Sequence, residues 1–242
     1  MNIENIGAIF LIPNLLGDSA PLEVLPISVK KNIESLTYFI CENEKVARAF
    51  IKKIAPNKAQ QELNIVLLNK FTDPQEVASF LDPCFEGESI GLISDAGCPA
   101  IADPGAIIVE LAHKKGIPVK PLVGPSSILL ALIGSGMNGQ NFAFNGYLPI
   151  DKQDRFRMIK ALEKRSGEYD QTQLFIETPY RNEQFLADLM RTLSPDTLLC
   201  VACDLTLSSE WIKTAPVKQW KNIKVQLQKR PALFLFHKEL AI

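Results

Sequence analysis

A chain of 242 residues, 47% hydrophobic and 22% charged, has material for one large globular domain or two modest ones, which excludes the disordered and low-complexity classes. Its 26 basic and 27 acidic residues leave a net charge of -1, so a nucleic acid or anionic membrane would have to find a local patch rather than a global attraction. The longest apolar runs, 117–123 and 126–133, fall well short of the roughly 20 residues that span a bilayer. With no basic, apolar and small-residue leader at the N-terminus, a cytoplasmic location, no membrane segment and five free thiols are expected.

In the first half, short β-branched runs at 8–12, 37–41, 64–68, 89–94 and 118–122 read as strands. Helical spacing at 46–54, 74–81 and 105–115 separates them, which implies βαβ crossovers and a mainly parallel, doubly wound sheet. The rhythm changes after Val123, so the expected domains are 1–123 and 124–242. In the second, a helix at 126–133 leads through glycines into a strand at 141–147. Strands at 172–177, 198–203 and 232–237 and helices at 155–164 and 183–192 follow, giving an α/β domain with a mixed sheet. The charged stretch 151–168 reads as a solvated helix face. Cys200 and Cys203 form a CxxC, but inside an apolar strand residues three apart point to opposite faces, and no clustered His or second CxxC completes a metal site. No metal is expected.

Two segments carry chemistry. Ser94 through Gly105 follows the apolar strand at 90–93, where small residues let backbone approach a ligand and Asp95 offers a carboxylate. Asp103 and Pro104 are expected as the N-cap and first residue of the next helix. Gly124-Pro125-Ser126-Ser127 delivers a helix N-terminus whose amides and hydroxyls suit polar ligand atoms, and Ser126 fits either a cap or a ligand contact. Gly134 to Gly139 matches GxGxxG formally, yet these glycines follow a helix and precede a strand, the reverse of a dinucleotide fingerprint. Neither a GxSxG elbow nor a Walker sequence is present.

Taken in order, Asp95-Ala-Gly-Cys-Pro to Asp103-Pro-Gly105, Gly124-Pro125-Ser126, the 144–149 segment, Phe175-Ile-Glu177-Thr-Pro-Tyr-Arg181 and Val201 to Thr206 resemble the tetrapyrrole methylase superfamily, class III S-adenosylmethionine-dependent methyltransferases. The resemblance covers nearly the whole chain and is nearest the branch that methylates a ribose hydroxyl of small-subunit ribosomal RNA. It implies two α/β domains with S-adenosylmethionine in the cleft between them, a homodimer, and ribosomal RNA as methyl acceptor. Carried over by position, Leu11, Ile12, Pro13, Asp95, Gly97, Cys98, Ser126 and Ser127 contact the cofactor, joined by Ile176, Ala202, Pro231 and Ala232 from the second domain. A ribose hydroxyl profits from a base, for which Glu177 and Glu42 stand at strand ends, and Arg181 suits an acceptor phosphate.

The chain also departs from that pattern. The first loop, Pro13 to Asp18, is a residue short and lacks a glycine, and Glu42-Asn43-Glu44-Lys45 stands where the branch carries a Glu-Asp-Thr-Arg type sequence. These changes leave open a tetrapyrrole precursor or a protein side chain as acceptor, and a noncatalytic, cofactor-binding paralogue.

Overall fold

The computed structural model describes residues 6–239 and divides into two compact units, one up to Ser126 and one from Ser127 onward. In the first unit the chain runs β1 (Ile9–Ile12), α1 (Pro21–Val24), α2 (Ile27–Ser35), β2 (Tyr38–Cys41), α3 (Glu44–Ile54), β3 (Asn64–Leu67), α4 (Pro74–Val77), α5 (Asp82–Phe85), β4 (Ile90–Ile93), α6 (Ala106–Lys114) and β5 (Val119–Pro121). All five expected strands form, and they pair in parallel in the order β3-β2-β4-β1-β5. β4, buried at every residue, sits at the centre.

Period-two alternation decides which face each strand residue serves. Phe39 and Cys41 pack with Val29 and Ile33 of α2 and Phe50 and Ile51 of α3, whereas Ile40 points to the opposite core with Val77, Ile108 and Ala112. Helices therefore cover both faces, as a doubly wound sheet requires. α3 shows why such a segment is helical. Ala47, Phe50, Ile51 and Ile54 form one buried stripe, and the Asn43 side chain accepts hydrogen bonds from the amides of Lys45 and Val46 at 3.1 and 3.3 Å.

Two sequence expectations are corrected here. The single helix at 74–81 is instead α4, a 3-10 turn at Ala78–Leu81 and α5, because Pro83 has no amide to continue the ladder and crowds the turn before it. Asp103 does not cap α6. The helix starts at Ala106 with Gly105 as N-cap, and the Asp103 carboxylate accepts from the amides of Ala100 and Gly105, both at 2.8 Å.

In the second unit, α7 (Ser127–Ser135), β6 (Phe142–Phe144), α8 (Lys152–Tyr169), β7 (Thr172–Ile176), α9 (Asn182–Thr192), β8 (Leu198–Cys203), β9 (Trp211–Pro216), α10 (Val217–Trp220) and β10 (Ala232–His237) build a mixed sheet of order β6-β7-β10-β8-β9. Only β6 and β7 run parallel. One core lies on the α8 and α9 side, where Phe185 meets Phe234 edge-on at 4.9 Å and Phe175 stacks on Phe236 at 5.2 Å. The indole of Trp220 donates to the carbonyls of Leu199 and Ala215 at 3.1 Å, so its polar atom is satisfied inside that core.

Leu199, Val201 and Cys203 face this core and Cys200 faces the other way, so the CxxC thiols lie on opposite sides of β8, both buried. Burial pushes the Cys200 thiol up to about 11. Gly136, at φ +69°, ends α7, so the glycine run terminates a helix rather than opening one. The charged 151–168 stretch is not solvated throughout. Arg155 turns inward to Asp188, and Glu163 is buried against the Ser194 amide and the Thr197 hydroxyl at 2.5 and 2.7 Å.

Candidate active site

Because β2, β4, β1 and β5 are neighbours and parallel, the loops leaving their carboxyl ends share one edge of the first sheet. That edge is where open α/β sheets bind ligands. Glu42 follows β2, Asp95 to Cys98 follow β4, Pro13 follows β1, and Gly124 and Pro125 lie beyond β5.

The last three loops are laced together. The Asn14 amide donates to the Gly97 carbonyl at 2.9 Å and the Gly97 amide returns to Asn14 at 3.2 Å. The buried Asn14 carboxamide donates to the carbonyls of Ser94 and Asp95 at 3.0 and 3.2 Å while accepting from the Leu15 amide at 2.7 Å. The Cys98 thiol donates to the Pro125 carbonyl at 3.4 Å. Gly124 closes against Pro13 so tightly that a Cβ there would sit 2.2 Å from the proline Cγ, and Gly97 holds φ +69°. Sequence reasoning missed Asn14, whose bonds reach about 80 residues along the chain. Its only local signal was the altered loop at Pro13-Asn14.

Charge gathers at the same edge. Burial pushes the Asp95 carboxyl up, and Asp103 raises it further against the opposing effect of the Asn43 amide. Glu42 is also raised, first by burial and then by Asp103 and Asp95. Burial accounts for the larger part of both rises, and the smaller part is repulsion among Glu42, Asp95 and Asp103, which places three carboxylates at this edge. Beside them a groove of about 340 Å³, lined by Asn14, Leu16, Gly17, Lys53, Asp95 and Ala96 among others, is within the size range of small-molecule sites.

The loop at 98–105 is conformationally strained, with Ala100 at φ +65° and Ala102 at φ +59°. Ala102→Gly is expected to stabilise the protein by about 0.5–1 kcal/mol in urea unfolding, since relief of the left-handed conformation outweighs the added freedom of the unfolded chain. A loss of stability would show that Ala102 is not held in that conformation.

In the second unit the sheet brings the remaining candidates together. Ile176 on β7 and Ala202 on β8 are both register partners of Leu233 on β10, next to Ala232 and Pro231. Glu177, at the end of β7, is buried and engaged. Its Oε1 accepts from the Thr178 amide at 2.6 Å and from Arg181 Nε and Nη2 at 3.0 and 2.6 Å. Glu42 belongs to the first unit, where it follows β2. Ser127 is the first residue of α7, and Ser126 directly precedes it. Among the described residues, no group of three or more His, Cys, Asp or Glu side chains is placed to hold a metal, and no helix is long and apolar enough to cross a membrane.

No family model matches the chain. Among curated proteins it is similar to "Ribosomal RNA small subunit methyltransferase I" of Escherichia coli, 27% identical over 211 residues, 87% of this chain and 70% of the relative. The protein of the same name from Thermotoga maritima is 27% identical over 83% of this chain and 84% of its own length. That of Halalkalibacterium halodurans is 32% identical over 67% of this chain and 57% of its own. Among solved structures, diphthine synthase matches with a TM-score of 0.67 at 13% identity, over 97% of this chain and 91% of that one. The methyltransferase CobJ matches at 0.63 and 15%, over 96% and 94%; at such identities these two speak for the fold. The ordered strand-end motifs, the relatives and the two α/β units agree: the chain is similar in sequence to proteins named as methyltransferases and has the two-unit α/β fold of the tetrapyrrole methylase neighbours.

Proposed function

We propose that this protein transfers a methyl group from S-adenosylmethionine to a ribose hydroxyl of small-subunit ribosomal RNA, working as a cytoplasmic homodimer. The observation that carries the cofactor assignment is the laced edge of the first sheet, where Asn14 fixes the loops after β1 and β4 around an acidic, groove-lined position. The cofactor's sulfonium and ammonium are cations, and Glu42, Asp95 and Asp103 supply the matching negative potential. The residues present fit the group.

When bound, the cofactor supplies an electrophilic methyl for in-line displacement, so the protein's task is chiefly alignment and exclusion of water. Leu11, Ile12, Pro13, Gly97, Cys98, Ser126 and Ser127 are proposed to present backbone and small side chains to it, and Asp95 to bind its polar atoms. Ile176, Ala202, Pro231 and Ala232 are the proposed contacts of the second unit. Glu42, held above the usual carboxylate range, is proposed to take the hydroxyl proton. Glu177 is committed to Arg181 and orients that guanidinium toward an acceptor phosphate. The acceptor assignment leans on the relatives named for ribosomal RNA small subunit methylation.

Transfer of radiolabelled methyl from S-adenosylmethionine to undermethylated small-subunit RNA, with nuclease digestion to locate the label, tests the reading. Label in a ribose is expected. Label in protein or in an added tetrapyrrole, or none anywhere, would overturn the acceptor.

The raised carboxylates also give a pH expectation. A cation binds their ionised form, so affinity for S-adenosylmethionine should hold at neutral pH and fall as pH drops through the raised values of Asp95 and Glu42. Calorimetry from neutral into the mildly acid range checks this, and Asp95→Asn should flatten the profile; a profile rising toward acid would contradict the assigned sign.

A further inference from the structure

Between Trp211 and Lys238 the sequence holds seven basic residues (Lys213, Lys218, Lys221, Lys224, Lys229, Arg230, Lys238) and no acidic one, in a chain whose net charge is -1. Some of these cations are already used. Lys218 pairs with Asp196 at 2.6 Å, and Arg230 pairs with Asp204 at 2.8 Å while its other nitrogens hold the carbonyls of Gln226 and Ser209. Lys221, Lys224 and Lys229 are exposed and form no ion pair among the described residues. A lysine without a carboxylate nearby keeps its full attraction for an external anion.

These three lysines stand on an ordered strap. From Asn222 to Gln228 the backbone alternates, with Ile223, Val225 and Leu227 turned to the core and Asn222, Lys224, Gln226 and Gln228 turned to solvent. The strap is tied to the turn that precedes α9. The Lys229 amide donates to the Pro179 carbonyl at 3.0 Å, and the buried Asn182 carboxamide donates to the Arg230 carbonyl at 2.7 Å. That same turn displays Tyr180, a residue 79% exposed. Lys229 holds φ +61°, a conformation that a lysine adopts only when its surroundings impose it. An exposed aromatic ring on a turn bonded to a strap that carries uncompensated cations offers the two elements that single-stranded nucleic acid uses, a stacking face for a base and ammonium groups for the backbone.

We infer that the strap at 221–229, with Tyr180, is a docking surface for single-stranded RNA, on which Tyr180 stacks a base and Lys221, Lys224 and Lys229 neutralise phosphates. The inference rests on the RNA-methyltransferase reading and adds to it the surface that holds the acceptor. A membrane would ask for an apolar face rather than one ring, and an acidic peptide would make no use of stacking.

The test is fluorescence anisotropy with a labelled single-stranded oligoadenylate of about a dozen nucleotides, across a salt series, on the full chain. Replacing all three lysines by Ala should weaken binding 10- to 100-fold and reduce the slope of log affinity against log salt by about 2, at about 0.7 per phosphate lost. Tyr180→Ala should weaken binding about 5- to 100-fold and leave that slope unchanged. S-adenosylmethionine titrated into the same variants should bind as in the wild type, which shows that they fold and separates this surface from the cofactor site. Wild-type affinity in both variants, no RNA binding by a wild-type protein that binds the cofactor, or binding to polyglutamate or anionic vesicles in place of RNA would each overturn the inference and leave the methyltransferase assignment standing.

Discussion

Asp95→Ala should raise the dissociation constant for S-adenosylmethionine by about 10- to 100-fold, the worth of about 1.5–3 kcal/mol for a hydrogen bond to a charged group, without unfolding the protein. The reason lies in what Asp95 does not do. Among the described residues its carboxylate joins no ion pair, and burial together with Asp103 raises its proton affinity in the folded state against the opposing effect of the Asn43 amide. For a raised carboxylate the linkage runs against stability. The folded state binds the proton more tightly, so stability declines as pH rises from the ordinary carboxylate range through the raised value, and the penalty is fully present at neutral pH. Removing the group should therefore leave thermal stability at neutral pH equal to or above that of the wild type while affinity falls. Loss of both would mean that Asp95 is a structural residue; retention of affinity would move the cofactor away from this loop.

Arg155→Met should cost about 3–5 kcal/mol, the largest effect on stability expected of the substitutions considered. Asp188 is fully buried and receives Arg155 Nε and Nη2 on Oδ2 at 3.0 and 2.6 Å, with Gln184 on Oδ1 at 3.0 Å. The remaining guanidinium nitrogen holds the carbonyls of Pro149 and Ile150 at 3.0 and 2.7 Å, fixing the entry to α8. Deleting the cation strands a buried carboxylate. Adding Asp188→Leu to the same chain should recover a large part of the loss, because the penalty belongs to the orphaned charge more than to the missing attraction. Urea unfolding of the two single variants and the double decides it, and additive losses would show the pair to be uncoupled.

The legible parts of the fold were those written at short range. Each β-branched run of the first half became a strand of the parallel sheet, and the Asp95 loop could be placed at a strand exit because β4 is an unbroken apolar run. β9 was missed, since Trp211 to Pro216 carries Lys213 and ends in a proline, and the packing that makes it a strand comes from β8. α2 was missed because only Val29 and Ile33 are buried along its nine residues. The lacing by Asn14 was hidden for a different reason: the altered loop at Pro13-Asn14 signals a change there, but its partners lie about 80 residues away in sequence. The Asp103 carboxylate was read as a cap from its position before Pro104, whereas the strained turn at Ala100 and Ala102 draws it back to bind amides on both sides. The acid-free stretch after Trp211 stood in the sequence throughout, hidden by averaging charge over the whole chain.

The first measurement is isothermal titration of the purified protein with S-adenosylmethionine and S-adenosylhomocysteine, beside NAD and ATP. Saturable heat from the sulfonium pair, with NAD and ATP silent, is expected, and S-adenosylmethionine should lose affinity in Asp95→Ala. A folded protein that takes up neither sulfur ligand would contradict the cofactor assignment and identify a paralogue that has kept the fold and lost the chemistry.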